Sequence, residues 1–209
     1  MISGILETLK VFGLTALFAI PLGLVLAYGR MSKFAVIKWI TQIYLLVMRG
    51  TPLLLQVTVV YFALSPQNWY KILFDTNGRL FAAIIAFTLN YAAYFCEIYR
   101  GGIESIPKGQ YEAASVLGFT KAQTLFKIVL PQVVKRILPP MSNELMTLVK
   151  DTALTQAIGV AEMYQYSTGK LAYTGQLLPL YVAGICYLLI NTVVWAGFYF
   201  GEKKLSYYK

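Results

Sequence analysis

Histidine is absent from this chain, and cysteine occurs only twice in 209 residues. Without histidine the sequence lacks the commonest general base of enzymes, and two thiols alone cannot build a usual structural zinc site. A phosphate loop of the G-x-x-x-x-G-K-[ST] type is also missing, so we do not expect the chain to hydrolyse ATP by itself. The sequence therefore predicts neither a metal site nor a catalytic centre in this chain.

Charged residues are also scarce, since they make up 13% of the chain, and its mean hydropathy is +0.62. Soluble domains carry about 25% charged residues, so most of this chain is expected to contact lipid or other membrane helices. Four runs contain no Asp, Glu, Lys or Arg, namely residues 11–28, 50–70, 80–96 and 171–201. A spanning helix needs about 20 mostly apolar residues, and each run is near or above that length.

These runs and their flanks predict an all-α integral membrane protein with about five transmembrane helices in a single domain, residues 1–209. Four glycines along the first span predict small-residue faces for close helix packing, and an external turn is expected at residues 65–68. The predicted spans are 5–28, 39–64, 80–99, 133–160 and 178–200, with a polar loop at 102–130. The four glycines are Gly4, Gly13, Gly23 and Gly29.

The fourth predicted span is the least hydrophobic, and it contains Glu144, Lys150 and Asp151. Charged side chains inside the bilayer are costly and almost always face a protein interior or a wet cavity. This span is therefore expected to lie against protein or water rather than to face lipid on all sides.

The net charge of +9 is distributed unevenly along the chain. Twelve of the 18 basic residues follow the first, third and fifth spans, four fall on the opposite side, and Arg49 and Lys150 lie within spans. This positive-inside pattern predicts an external N-terminus and a cytoplasmic C-terminus, and it argues against nucleic acid as a partner. The twelve are Arg30, Lys33, Lys38, Arg100, Lys108, Lys121, Lys127, Lys135, Arg136, Lys203, Lys204 and Lys209, and the four are Lys10, Lys71, Arg79 and Lys170.

The polar loop contains Glu112-Ala113-Ala114, then Gly118, and then Ile128-Val129-Leu130-Pro131. This pattern resembles the cytoplasmic EAA loop of ABC importer permeases, which docks into a cleft on an ATP-hydrolysing subunit. The resemblance implies that Glu112 makes a salt bridge or a helix cap at the joint and that Gly118 permits a tight turn. The alternative is a solvated surface helix, for which Glu-Ala-Ala is merely favourable composition.

Three further segments resemble the polar amino-acid branch of these permeases over nearly the whole chain. They are Arg49-Gly50-Thr51-Pro52, the lead-in 99–110 to the loop, and Lys150-Asp151-Thr152-Ala153-Leu154, where Ala153 stands in place of the usual serine. With the loop, four motifs occur in the family's order. The resemblance implies the type I importer permease fold.

The same segments contain the candidate substrate-binding residues. Arg49 follows ten uncharged residues and precedes twenty-one, and a charge at that depth costs roughly 2.5–3.5 kcal/mol on insertion scales, so it needs a partner. We predict that Arg49 and Lys150 face the carboxylate of an amino acid and that Asp151 faces its ammonium group. The candidate binding residues are Arg49, Leu53, Gln56, Asn90, Lys150 and Asp151.

Structural roles remain open for these residues. Arg49, Lys150 and Asp151 would then form an ion pair between helices, and Asn90 would make a packing contact. Glu97 and Glu144 are expected to be partners of nearby Arg or Lys rather than ligands.

The resemblance implies a permease subunit of a bacterial polar amino-acid importer in the cytoplasmic membrane. Its expected partners are a pair of ABC ATPase subunits, a second permease subunit (identical or related), an external solute-binding protein, the lipid bilayer and the amino acid. ATP and Mg would be bound by the partner ATPase, and no cofactor is expected in this chain. Since no unassigned carboxylate lies firmly in mid-span, an uncharged polar cargo such as glutamine or cystine is preferred over arginine or lysine.

Three other classes compete with this interpretation. An ion-coupled secondary transporter is disfavoured, because the five spans contain no inverted repeat. An integral-membrane enzyme would need clustered catalytic groups, and a non-catalytic scaffold would leave Arg49, Lys150 and Asp151 unexplained. Co-purification of a nucleotide-binding subunit separates the permease from all three.

Overall fold

The computed structural model describes residues 1–64 and 78–205, which form helices and short connections without a β-strand. The predicted turn at 65–68 lies outside these residues. The helices are α1 (Ile2–Arg30), α2 (Ala35–Gly50), α3 (Leu53–Leu64), α4 (Gly78–Glu104), α5 (Lys108–Val116), α6 (Lys121–Gln123), α7 (Leu130–Asp151), α8 (Met163–Thr174) and α9 (Leu178–Leu205). A π-helical turn (Thr124–Val129) joins α6 to α7, and a 3-10 helix (Thr152–Ile158) follows α7.

Within the described part of the chain, α1, α4 and α9 are each long and apolar enough to cross a membrane. The pair α2 and α3 adds a fourth crossing if the two helices form one broken span. Helix α7 has 22 residues, which is enough for a further crossing, although its charges set it apart from the other spans. The predicted all-α class is confirmed, and the helix set is roughly consistent with about five spans.

Helix α1 packs along α4 through a stripe of mostly small residues. A Cβ added at Gly23 would lie 2.6 Å from the Cβ of Phe95. Added Cβ atoms at Gly4 and Gly29 would also make close contacts, whereas one at Gly13 would meet nothing within 4 Å. Close packing is therefore confirmed for three of the four predicted glycines, and the prediction for Gly13 is wrong. The buried stripe comprises Gly4, Thr8, Val11, Thr15, Ala19, Gly23 and Ala27.

Helix α4 lies at the centre of the fold and contacts α1, α2, α3 and α7. Its aromatic side chains Phe87, Tyr91 and Phe95 are fully buried and form part of the main core. Because α4 is packed on several sides, the polar groups that it carries are held in fixed positions relative to the other helices.

The second predicted span, 39–64, is not one straight helix, since α2 and α3 meet at an angle of 108°. The break falls at Thr51-Pro52. Proline has no backbone N–H and disfavours helical conformation in the residue before it, and Thr51 is extended, with φ −117° and ψ 149°. Arg49, Gly50 and Thr51 at the bend are exposed, while the carbonyl of Met48 faces Asn90 of α4.

The fourth predicted span, 133–160, falls on a longer helical run that begins at α6 and continues to the end of the 3-10 helix. The wide π-helical turn comes directly before α7, whose first turn contains Pro131. Proline cannot donate the usual helical hydrogen bond. The run ends at Gly159, which adopts a left-handed conformation with φ 75°.

A fully buried carboxylate joins α1, α8 and α9 at the end of the molecule that contains the start of α1. Glu162 accepts hydrogen bonds from the backbone N–H groups of Tyr164 (2.7 Å) and Gln165 (2.6 Å) and from the Tyr187 hydroxyl (2.8 Å). Next to it, the backbone N–H of Met163 donates to the Thr8 hydroxyl at 3.2 Å. Glu162 therefore acts as the N-cap of α8 and fixes α8 against the two long helices.

Candidate functional site

The break between α2 and α3 is held by side chains that bind the freed backbone carbonyls. The Gln56 amide donates to the Met48 carbonyl at 3.0 Å and to the Thr51 hydroxyl at 2.7 Å. Asn90 donates to the same Met48 carbonyl at 2.8 Å and to the Gln56 side-chain oxygen at 3.0 Å, while the Thr51 hydroxyl donates to Val47 O at 2.8 Å. Two predicted ligand residues, Gln56 and Asn90, therefore stabilise irregular backbone inside the membrane.

A cluster of arginines surrounds Glu97 on α4. Its carboxylate lies 2.6 Å from Arg100 and 3.9 Å from both Arg30 and Arg49. The guanidinium of Arg49 also stands over the Tyr94 ring, 5.3 Å from its centroid. The expected role of Glu97 as an arginine partner is therefore observed. A cavity of about 370 Å³ adjoins the cluster and is lined by Arg30, Gln42, Leu45, Leu46, Arg49, Gly50 and Glu97.

Asp151 lies at the end of α7 and accepts a hydrogen bond of 2.7 Å from the hydroxyl of the buried Tyr91. Glu144 lies seven residues earlier on the same helix, within electrostatic reach of both Asp151 and Arg49. In the described residues Glu144 has no ion pair, so the expected pairing with Arg or Lys does not appear there.

An exposed polar stripe follows one side of α7. Arg136, Asn143 and Lys150 are exposed, and their spacing of seven residues places them two helical turns apart on one face. Glu144 and Asp151 directly follow two members of the stripe and are only partly exposed. Lipid cannot solvate such a face, so it must border protein or water.

The six predicted binding residues thus lie in five different environments. Gln56 and Asn90 belong to the bend, Arg49 belongs to the cluster around Glu97, and Asp151 bonds to Tyr91. Lys150 lies on the exposed face of α7, and Leu53 is partly buried against the main core. Over the described residues, Arg49, Lys150 and Asp151 form no ion pair with one another.

Sequence reasoning missed Tyr91 and Tyr94 and assigned Glu144 a different role. The two tyrosines flank the site, one bonded to Asp151 and the other beneath Arg49. The sequence contained a signal for both, because tyrosine in transmembrane helices concentrates at the membrane interfaces, whereas these two tyrosines lie deep within a predicted span. Across residues 1–64 and 78–205, no group of His, Cys, Asp and Glu is arranged to hold a metal ion.

The predicted polar loop projects from the helix assembly as two short helices joined by a tight turn. Gly118 forms the turn with φ 77°, a left-handed conformation that favours glycine. Thr120 and Gln123 then form a reciprocal capping box that starts α6. Of the predicted docking residues, Glu112, Ala113 and Gly118 are exposed and Ala114 is buried.

The tip of this loop carries solvent-exposed apolar side chains. Val116 is 88% exposed and Leu117 is 73% exposed, directly before the turn. Glu112 makes no hydrogen bond or ion pair within the part of the chain that the structure describes. An exposed apolar tip on a rigid turn is typical of an interaction site.

The base of the loop is fixed to α7. Arg136 donates a hydrogen bond to the Ser105 carbonyl, and Ile106 is buried against Val129 and Val133. The loop and the first turns of α7 therefore form one packed unit.

Comparison with known proteins places these features in context. Residues 19–206 match the family described as the inner membrane component of binding-protein-dependent transport systems. The arginine transport system permease protein ArtQ of Bacillus subtilis (strain 168) is 38% identical over 196 residues, which cover 93% of this chain and 87% of ArtQ. The L-cystine transport system permease protein TcyB of the same strain is 37% identical over 193 residues, which cover 89% of this chain and 80% of TcyB.

Solved structures show the same architecture. A crystal structure of an amino acid ABC transporter with histidines aligns with a TM-score of 0.82 and 31% identity, covering 97% of this chain and 92% of that one. An inward-facing structure of the MetNI methionine ABC transporter aligns with a TM-score of 0.74, and the alignment covers 98% of this chain and 95% of that one. At 17% identity, the second match indicates the fold alone.

Proposed function

Because this chain belongs to the family of inner-membrane components of binding-protein-dependent transport systems, we propose that it carries a polar amino acid into the cytoplasm as the permease of an ABC importer. An ATPase pair on separate chains supplies the energy and holds ATP and Mg, and an external binding protein delivers the amino acid. The permease binds and releases its cargo by alternating access and performs no chemical step itself.

The observation that carries this proposal is the unbroken helical run from Lys121 to Asp151. This run consists of α6, the π-helical turn and α7, without an intervening loop. At 1.5 Å per residue its 31 residues extend on the order of 45 Å. One end adjoins the projecting turn at Gly118 and the other end carries Asp151 beside Tyr91. A displacement of the tip is therefore transmitted directly to the polar site.

The projecting turn is the proposed docking point for the ATPase. Val116 and Leu117 supply apolar contact area, and Glu112 is available for a salt bridge or a helix cap in the partner's cleft. Positive φ at Gly118 keeps the turn narrow. Because the base of the loop packs against α7, closure of the ATPase pair rocks α7 against α4.

The polar face of α7 supports pairing with a second permease subunit. Arg136, Asn143 and Lys150 require protein or water in place of lipid. A second subunit, identical or related, facing this stripe would enclose a wet passage between the two chains. The candidate binding groups then border the passage, with Arg49 toward the cargo's carboxylate and Asp151 toward its ammonium group.

The positive charges support an orientation in the bacterial cytoplasmic membrane. Arg30 at the end of α1 lies beside Glu97 and Arg100 near the end of α4, so both helices finish at the same side. The polar loop at 102–130, which is rich in basic residues, lies on that side as well. The positive-inside pattern predicts that this side is cytoplasmic. The N-terminus is then external.

The test is reconstitution of the purified complex in liposomes with its ATPase and binding protein. ATP hydrolysis and uptake are measured against a panel of amino acids, and omission of the binding protein serves as the control. We expect a set of polar amino acids to stimulate both activities. If no ATPase co-purifies and uptake follows a sodium or proton gradient, the protein is a secondary transporter instead.

A further inference from the structure

The charged groups of the polar site form two clusters, one with an excess of cations and one with carboxylates alone. On one side, Arg30, Arg49 and Arg100 surround Glu97, and Arg100 also pairs with Glu104 at 2.5 Å. This side therefore contains three cations and two anions.

On the other side, α7 presents two carboxylates, Glu144 and Asp151, at a spacing of two helical turns, or about 10.5 Å along the axis. Each is within electrostatic reach of the other, and both lie near Tyr91 of α4. The Tyr91 hydroxyl donates one hydrogen bond to Asp151 and supplies no positive charge. Over residues 1–64 and 78–205, neither carboxylate has an ion-pair partner.

Two cations lie near these carboxylates without forming an ion pair with either of them. Lys150 lies within electrostatic reach of Asp151, but its side chain is on the exposed face of α7 and makes no ion pair with it. Arg49 lies within electrostatic reach of Glu144, yet its guanidinium pairs with Glu97 and covers the Tyr94 ring. An uncompensated carboxylate within a membrane protein is costly.

An amino acid with an uncharged side chain supplies one ammonium group, which compensates one of the two carboxylates. A cargo with a second cation at the end of its side chain compensates both, while its α-carboxylate faces Arg49. We infer that Glu144 and Asp151 together select an amino acid with a basic side chain of the arginine or lysine type. This inference rests on the proposed function, and it differs from the sequence-based preference for glutamine or cystine, which gave Glu144 no role in the site.

The test is direct binding of radiolabelled arginine to the detergent-purified permease–ATPase complex without its binding protein, so that the permease site alone discriminates. Citrulline is the matched competitor, because it has the shape of arginine with an uncharged end. Hydrogen bonds to charged groups are among the stronger ones, so we expect arginine to bind at least about tenfold more tightly than citrulline. Lysine should compete better than glutamine.

Variants assign the selectivity to the two carboxylates. Glu144→Gln retains the size of the side chain and should bring the arginine-to-citrulline affinity ratio close to one. Asp151→Asn should lower the affinity for arginine and for citrulline alike, because Asp151 faces the ammonium group that both share, and this gives an independent measurement if one variant is unstable. Glu7→Gln is the matched control, since Glu7 lies on α1 and pairs with Lys10 at 2.7 Å, and it should leave the ratio unchanged.

The outcomes separate this inference from the proposed function. Equal binding of arginine and citrulline, or a preference for glutamine, would overturn basic-side-chain selection and leave the amino-acid importer intact. An unchanged arginine-to-citrulline affinity ratio in Glu144→Gln, or an unchanged arginine affinity in Asp151→Asn, would show that these carboxylates do not select the cargo. If the complex binds no amino acid and no ATPase co-purifies, both proposals fail.

Discussion

The packing of α1 on α4 can be tested with one substitution made at two positions of the same helix. Gly23→Ala places a methyl group 2.6 Å from the Cβ of Phe95, 3.1 Å from the carbonyl oxygen of Ala92 and 3.2 Å from the backbone nitrogen of Cys96. Gly13→Ala places the same group where nothing lies within 4 Å. The pair therefore differs in steric contact and not in chemistry.

The expected difference can be worked out from two opposing contributions. Replacing glycine by alanine within a helix stabilises it by about 0.8–1.0 kcal/mol, and this gain is common to both variants. Overpacking a well-packed interior costs about 1–3 kcal/mol, and it applies only at Gly23. Because all three close atoms at Gly23 are backbone or Cβ atoms of α4, they cannot move aside independently. We therefore expect the unfolding free energies of Gly23→Ala and Gly13→Ala to differ by about 2–3 kcal/mol, near the upper end of the overpacking cost.

The assay is thermal unfolding of the purified complex in detergent, followed by loss of monodisperse protein. For chains of this length, each kcal/mol changes Tm by about 2–4 °C, so Gly23→Ala should melt about 4–12 °C below Gly13→Ala. The difference has functional consequences, since α4 carries Asn90 and Glu97. If the two variants melt together, or Gly23→Ala is the more stable, the tight α1–α4 contact is incorrect.

Three further predictions concern the loop, the site and the buried carboxylate. Gly118→Asp should abolish stimulation of ATP hydrolysis by loaded binding protein, because it strains a turn with φ 77° and adds charge to the docking tip. Gly109→Asp in the same loop is the control, and normal transport by Gly118→Asp would reject the transmission of motion from the ATPase through this turn. Arg49→Met should abolish uptake while the complex still assembles, as judged by gel filtration, and normal uptake would remove Arg49 from the site. Glu162→Gln should lower the free energy of unfolding by about 1–3 kcal/mol, because it removes one of two carboxylate acceptors of buried hydrogen bonds; an unchanged melting temperature would refute this role for Glu162.

Several parts of the site followed from local sequence. The bend has a local cause, because Pro52 lies within an otherwise apolar run and lacks the donor that continues a helix. Gly118 after a short helix predicted a tight turn, and Thr120 followed by Gln123 supplied a local capping box. Each of these features depends on residues within a few positions of one another, so the chain itself specifies them.

Pairing between distant residues was less predictable. Arg49 was expected to face Lys150 and Asp151 or a ligand, and the structure pairs it with Glu97 instead. Asn90 was read as a ligand or a packing contact, and it proved to bind the carbonyl of Met48 on another helix. Composition indicates that a charge needs a partner, but the choice among several partners depends on how helices cross.

The sequence by itself determined the all-α membrane class, the projecting loop with its glycine turn, and the resemblance to ABC importer permeases. Hydropathy, turn chemistry and motif order are properties of neighbouring residues, so they can be read from the sequence without knowledge of the fold. Only the tertiary structure decided which side of α7 is exposed, where the second span bends, and that Glu144 and Asp151 lie near each other without an ion-pair partner among residues 1–64 and 78–205. These features arise from the 108° bend between α2 and α3 and from the packing of α4 among its neighbours, which bring together groups far apart in the chain.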